Sequence, residues 1–586
     1  MMSQNLYHHL MNRASGWYPK GQRRPSASQY LNYQREFYKS ITPSLTVQNV
    51  DKPLVYLRKF TPDGQLLLGF SFDQCHLEVF KYQGVGYVMD LLSTQQGECI
   101  TASDSSFYSL HIRQSIFDRM LKKLYSLRLV KQSGPIKSHI NREFSAFFRD
   151  GTFVLLAAVS ESYSSFDSFK RLVEYADLWD DTDHFNYTFF LVDLKSGSVS
   201  DKLIYNDDSF MLSHNHSVSV YEHTLAILSN CRQCIDLIQI DSKGKFQRLF
   251  TLGPFGSDLD RERILNTQQP SSCVYHISTD RFDTLPLSHL KQKILSYMYR
   301  NIMETEDKSI RLKKLKGFYL NFPHSHTAKR LYSEARTNPM VERMLISKMQ
   351  LLDNDNIFMR YESRPNQLTE ERSSEDTLNK NKISFPLYVI YNISEQTVLK
   401  IFPKNSVQLL YILRDFCDDF RNVRSLQNQL PSSSPNNNIY FRAAFDLATS
   451  SIPGGQLEAA SRLNSTLPIT SQSFSTSPYL DYSLFNYDDR LISAWERPKV
   501  NILTPICFRD RATNDIKFRL FLETSFKNGD QRATEDSGLR MSQRELVTFV
   551  FHPYEPFIIS IQKVCRGYTI NFHIYNKRSR FKVQIP

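Results

Sequence analysis

At 586 residues, 41% of them hydrophobic, the chain carries enough apolar side chain for a sizeable core, which excludes wholesale disorder. Its 19 glycines are too few for phosphate-cradling loops to be a dominant theme. The 72 Lys and Arg against 60 Asp and Glu leave a net +12, but the charges are scattered, so a basic solvated surface accounts for them better than a nucleic-acid track does.

In chain order, Asn5-Leu6-Tyr7-His8-His9-Leu10-Met11-Asn12-Arg13 predicts a short helix that stops near Gly16. Leu6 and Leu10 stand at i and i+4 on one face, flanked by His9 and Arg13. Separated from the rest by RASGWYPKGQRRPSAS, such a helix is marginal in water by itself and makes most sense folding into a partner's groove. The same stretch lacks the apolar core of a signal peptide. The longest clean apolar run, Phe153 to Val159, is far short of the roughly 18 residues of a spanning helix. A soluble, intracellular chain with no membrane partner is expected. Eight cysteines over this length suit a reducing compartment, and the sequons at Asn186 and Asn464 are then chance matches.

Residues 59–82, KFTPDGQLLLGFSFDQCHLEVFKY, set a repeat plan. Thr61-Pro62-Asp63-Gly64 predicts a type I turn, Leu66 to Phe70 a buried strand, and Leu77 to Tyr82 a half-buried one. The plan recurs at FSAFFRDG with FVLLAAV and YTFFLVDL (144–194), at 213–241, at 348–361 with 385–402, at 479–498, and at 547–562 with 568–575. Six recognisable units in order predict an all-β chain, a WD-like β-propeller of about seven degenerate blades, rather than a pair of β-sandwiches. Propellers manage exposed strand edges by radial repetition, often pairing the end of the chain with its beginning. The expected organisation is a docking helix and linker over residues 1–25, then the propeller over 26–586. Helical insertions are expected near 286–335, with Leu290, Ile294 and Tyr297 on one face, and near 405–423. The second is read as one amphipathic helix through Val407, Leu409, Ile412, Leu413, Phe416 and Phe420. Polar loops fall near 362–382, 432–438 and 525–540.

Chemistry is sparse. Cys231 and Cys234 are two residues apart but lack the second ligand pair of a structural zinc site. His214 and His216 read as ordinary strand-end histidines, and Asp488-Asp489 as turn carboxylates. Arg311 to Lys316 forms a basic cluster on the first helical insertion, best read as a solvated face. No nucleophile elbow, P-loop, HExxH or kinase signature is present, so no catalytic residue, metal or cofactor is expected and the chain reads as a non-enzyme.

LRKFTPDG (57–64), SHN (213–215), LAILS (225–229), KMQLLD (348–353), LPITSQSFSTSPYLDYSLFNYDD (467–489), ERPK (496–499) and FHPYEPFIISIQ (551–562) resemble the de-etiolated-1 family. The resemblance runs from about residue 5 to 575 and departs mainly in longer inserts near 362–382 and 500–540. It implies a nuclear, non-catalytic substrate receptor and scaffold of a cullin-4 ubiquitin ligase, docked on the damaged-DNA-binding protein 1 adaptor. It further implies a constitutive photomorphogenesis RING ligase, ubiquitin-conjugating enzymes and a small de-etiolated-1-associated adaptor subunit as partners, with transcription factors as substrates. Receptors of this kind insert a short helix into the adaptor, and Asn5, Leu6, His9, Leu10 and Arg13 match that pattern. Trp179-Asp180 is followed by Asp-Thr, a departure from the Trp-Asp-x-Arg box. A chromatin- or nucleic-acid-binding propeller is the alternative reading, with direct nucleic-acid contact disfavoured by the scattered charge.

Overall fold

The structure, a computed structural model, describes residues 35–131, 138–148, 151–161, 185–253, 344–363, 386–420, 438–468, 477–492, 505–522, 545–564 and 567–577, with isolated positions between 290 and 309. The chain divides into two compact units, one from residues 1–131, 426–444 and 471–586, the other from 132–425 and 445–470. The all-β expectation holds: six sheets are described, antiparallel but for one short strand pair. Strands and helices are numbered in chain order below.

In the first unit, β2 (Val55–Phe60), β3 (Leu66–Ser71), β4 (His76–Tyr82) and β6 (Leu121–Arg128) form one four-stranded sheet. The strands expected in residues 59–82 are therefore present. The Thr61–Gly64 turn closes through the Gly64 N–H donating to the Thr61 carbonyl at 2.8 Å. An unexpected helix, α1 (Phe107–Met120), delays the fourth strand. Ser106 caps it, its hydroxyl accepting the Ser109 N–H at 3.3 Å, and Ile112, Ile116, Phe117 and Met120 are buried.

A second sheet gathers distant sequence, in the order β23 (Glu545–Phe551), β24 (Phe557–Val564), β25 (Gly567–Ile574), β1 (Leu45–Val47), β5 (Cys99–Ile100). Here an early strand joins a late hairpin, the pairing that propellers use. Alternation gives its hairpin two unlike faces. Phe557, Ile559, Ile561, Ile570, Phe572 and Ile574 enter an apolar cluster with Leu45 and Val47. The alternate positions carry polar groups that are buried too. Thr46 Oγ1 bonds His573 Nδ1 at 2.8 Å, His573 Nε2 bonds Ser560 Oγ at 2.9 Å, and the Asn571 amide donates to Ser560 and Gln562 at 3.1 and 2.7 Å. A one-residue slip of β1 would break this chain of bonds, so the polar seam fixes the register.

The third sheet, β20 (Phe485–Asn486), β21 (Ile506–Asp510) and β22 (Ile516–Leu520), corrects one repeat. Residues 479–498 were expected to supply a whole unit. Among the described residues, that span supplies β20, most of a 3₁₀ turn at Pro478–Leu480 and the short helix α6 (Asp489–Ile492). The main strands lie further on, where an insert was expected. The reason is aromatic packing: Tyr479, Phe485, Phe508 and Phe518 are completely buried against one another, and such a cluster demands inward side chains but not a continuous strand.

The second unit holds three sheets: β7 (Ser138–Ile140) to β11 (Ser198–Asp208) through β8 (Ala146–Phe148), β9 (Phe153–Glu161) and β10 (Phe185–Asp193); β12 (Val218–Tyr221), β13 (Thr224–Ser229), β14 (Cys234–Ile240) and β15 (Phe246–Leu252); and β16 (Met344–Leu351), β17 (Asn356–Ser363), β18 (Leu387–Asn392) and β19 (Thr397–Pro403). The last two are four-stranded meanders, and β15 is the strand that the sequence pattern left out. Strand β14 is buried on both faces. Ile235 and Leu237 enter one apolar cluster and Ile238 and Ile240 another, so its sequence reads as an apolar run instead of an alternation.

Leu290 and Ile294 are helical and buried beside the β16–β19 sheet, and the Tyr297 hydroxyl donates to the Leu399 carbonyl at 3.0 Å. The i, i+4, i+7 face expected of the first insertion is thus a packing face. The expected helix over 405–423 is in fact two, α2 (Val407–Asp415) and α3 (Cys417–Phe420). Phe416 between them has φ −119° and is 54% exposed. Leu409, Leu413 and Phe420 are buried as expected, but Phe416 is not part of that face. Helices α4 (Ile439–Ser450) and α5 (Gly455–Asn464) were not expected.

Candidate interaction site

The five expected docking residues, Asn5, Leu6, His9, Leu10 and Arg13, lie outside the described residues, as do Trp179, Asp180 and the basic cluster at 311–316. Two constructions among the described residues bear on function, one in each unit.

In the first unit, two of the segments that carry the family resemblance meet. The segment FHPYEP forms the β23–β24 connection, and TPDG the β2–β3 turn. His552 Nδ1 accepts the N–H groups of Tyr554 and Glu555 at 3.1 and 2.8 Å, which makes Nε2 the protonated nitrogen, and Nε2 donates to the Gly64 carbonyl at 2.9 Å. The imidazole lies 4.9 Å from the Phe60 ring and 4.6 Å from that of Tyr82. Burial holds its pKa down at about 3. Tyr82 in turn donates to Glu555 Oε2 at 3.0 Å, and burial pushes the Glu555 carboxyl up to about 7. Gly64 sits at φ +71°, and a Cβ there would stand 2.5 Å from His552 Cε1. With both ring nitrogens engaged by backbone groups, this histidine locks the β23–β24 connection to the β2–β3 turn.

In the second unit, two buried aspartates hold two exposed arginines beside a pocket of about 210 Å³. Asp208 ends β11 fully buried, accepting the Ser229 hydroxyl at 2.7 Å and the Ser209 N–H at 2.8 Å. This pins the β13–β14 turn and places Arg232 Nη2 3.3 Å from the carboxylate. Asp236 on β14 accepts the Tyr205 hydroxyl at 3.0 Å, Thr251 Oγ1 at 2.7 Å and Arg248 Nη2 at 2.5 Å. Arg248 and Thr251 would face opposite sides of a regular strand. A bulge at Leu249, where β15 spends two residues against one of β14, brings both onto the Asp236 face. Arg232 lies over the Tyr205 ring at 5.7 Å. Leu203, Ile204, Ile238 and Phe246 complete the lining.

Cys231 and Cys234 span the hairpin turn of this site, and burial pushes their thiols up to about 12 and about 11, against the thiolate form a metal requires. Among the described residues no three His, Cys, Asp or Glu side chains come together to hold a metal ion. His216 precedes β12 and contacts the Met211 sulfur at 3.1 Å. The acidic pair is found at a helix start instead of a strand turn: Asp488 Oδ1 accepts the Arg490 N–H at 3.1 Å and Asp489 opens α6. Tyr205, Arg232, Asp236 and Arg248 carry no motif. Their one sequence signal is a lone charge, Asp236, inside the apolar run Cys234 to Ile240.

The described surfaces define a repeat-built all-β protein with fixed polar locks and one arginine-lined pocket. Residues 142–576 match the family described as De-etiolated protein 1 (Det1), and the chain belongs to that family. Light-mediated development protein DET1 of Solanum lycopersicum is 26% identical over 566 residues, covering 94% of this chain and 96% of its own length. The Arabidopsis thaliana protein of the same name is 27% identical over 569 residues, covering 92% and 94%. Among solved structures, the periplasmic gluconolactonase PpgL of Pseudomonas aeruginosa aligns over 33% of this chain and 38% of its own at 12% identity and a TM-score of 0.18.

Proposed function

We propose that this chain acts, like the light-mediated development proteins it resembles, as a regulator, and does so as a non-catalytic substrate receptor and scaffold of a nuclear cullin-4 RING ubiquitin ligase. In this reading Leu6 and Leu10 insert into the damaged-DNA-binding protein 1 adaptor, with Asn5, His9 and Arg13 at the rim. The remaining surface recruits the constitutive photomorphogenesis RING ligase, the small de-etiolated-1-associated subunit and ubiquitin-conjugating enzymes, so that transcription factors are ubiquitinated and degraded. Bond-forming chemistry belongs to the conjugating enzyme, and this chain contributes proximity. The observation that carries the reading is family membership over most of the chain.

The test is binding of purified adaptor to the wild-type chain and to Leu6→Glu/Leu10→Glu. Two buried leucines are worth about 3–6 kcal/mol, so a loss of at least a hundredfold in affinity is expected with the fold unchanged. Equal binding would move the docking site elsewhere. Absence of binding by either chain would favour a chromatin-binding role, which the +12 charge would support and which predicts steeply salt-dependent DNA binding.

A further inference from the structure

We infer that the Arg232–Arg248 pocket is a binding site for an acidic peptide segment, taking a glutamate or aspartate side chain between the two guanidinium groups. Each arginine is held by one edge only. Arg232 uses Nη2 toward Asp208, and Arg248 uses Nη2 toward Asp236 and Thr251. Among the described residues, Nε and Nη1 of both make no hydrogen bond. The two side chains are nonetheless 51% and 60% exposed. Carboxylates that are themselves buried, at 0% and 4% exposure, thus pre-orient two half-used forks, which lowers the ordering cost of gripping a third carboxylate.

The ligand class follows from size and lining. About 210 Å³ lies below the roughly 300–1,000 Å³ of a site for a drug-sized molecule, but admits one side chain. Leu203, Ile204, Ile238 and Phe246 suit the methylenes that carry such a carboxylate. Ile204, 56% exposed at the mouth, offers apolar contact to a neighbouring residue of the same segment. Asp201 accepts the Phe246 N–H at 3.0 Å and stands 4.0 Å from Lys245 Nζ, so this edge of the lining carries a paired charge. Four apolar side chains around two arginines already paired with aspartates suit a single carboxylate on an apolar stem better than the dense charge of a polyanionic backbone, which favours a peptide with spaced charges over nucleic acid.

The probe is a fluorescein-labelled octapeptide alternating leucine and glutamate, titrated with the full chain; the matched leucine–glutamine octapeptide is the control. The glutamate peptide is expected to bind, the glutamine peptide at least tenfold more weakly, and added salt to reduce the difference. Arg232→Gln/Arg248→Gln should weaken the glutamate peptide roughly tenfold to a hundredfold. Because that change strands two buried aspartates, Ile204→Asp is the second variant: it alters only an exposed mouth residue and should also weaken the glutamate peptide. The inference is independent of the docking helix, so Leu6→Glu/Leu10→Glu should bind the peptide as the wild type does. Failure of the glutamate peptide to bind, equal affinity for both peptides, or unchanged affinity in Ile204→Asp would overturn it. So would tighter binding of a single-stranded oligonucleotide that the arginine variant loses.

Discussion

Gly64→Ala is expected to destabilise the first unit by about 3 kcal/mol, more than a surface turn position normally costs. Two effects combine. At φ +71° an alanine pays roughly 1–2 kcal/mol for the left-handed backbone. Its Cβ then meets His552 Cε1 and Nε2 at 2.5 and 2.6 Å. That ring cannot retreat cheaply, because Nδ1 accepts two backbone N–H groups and Nε2 donates to the Gly64 carbonyl. Urea unfolding of Gly64→Ala, His552→Ala and the double variant separates the two effects. Removing the ring should relieve the clash but not the backbone term, so Gly64→Ala should cost about 1–2 kcal/mol in the His552→Ala background. An identical cost in both backgrounds would show that the ring contact does not matter.

The same pair of motifs shows what a sequence can disclose. TPDG is legible as a turn because proline and glycine act locally, and β3 and β4 follow from alternation. FHPYEP is legible only as a signature of the family. That its histidine reaches a glycine 488 positions away depends on tertiary pairing, to which local propensity is blind. The helix α1 leaves a blurred trace, because the exposed apolar residues Phe107 and Leu110 interrupt the polar face opposite the buried stripe of Ile112, Ile116, Phe117 and Met120. In the second unit, Asp236 stands in the only legible anomaly of the arginine site, a charge within an apolar run. Its partners come from β11 and β15, and one of them faces it only because of a bulge at Leu249. Bulges follow from the register of two strands and leave little mark on either sequence.

Acid is expected to unfold the first unit steeply, because two histidines are buried there as neutral rings. His552 and His573 are 4% and 0% exposed, and burial lowers both to a pKa of about 3 from 6.5. Between those values the folded chain binds fewer protons than the unfolded one, so each contribution is complete above pH 6.5 and is lost as the pH falls toward 3. Glu555 works in the opposite direction. Its folded pKa of about 7 lies above 4.5, so its contribution is complete below pH 4.5 and is lost as the pH rises through 7. From pH 6.5 to 4.5 two histidines oppose one glutamate, a net loss of roughly 1 kcal/mol per pH unit. Below pH 4.5 the histidines are unopposed and the loss doubles. His573→Gln isolates one histidine, since an amide can still bridge Thr46 and Ser560 but does not titrate. Between pH 6.5 and 4.5 the variant should gain roughly 3 kcal/mol on the wild type in urea unfolding. Parallel stability curves would mean that His573 is not held neutral, and the polar seam that registers β1 against β25 would then have to tolerate a charge.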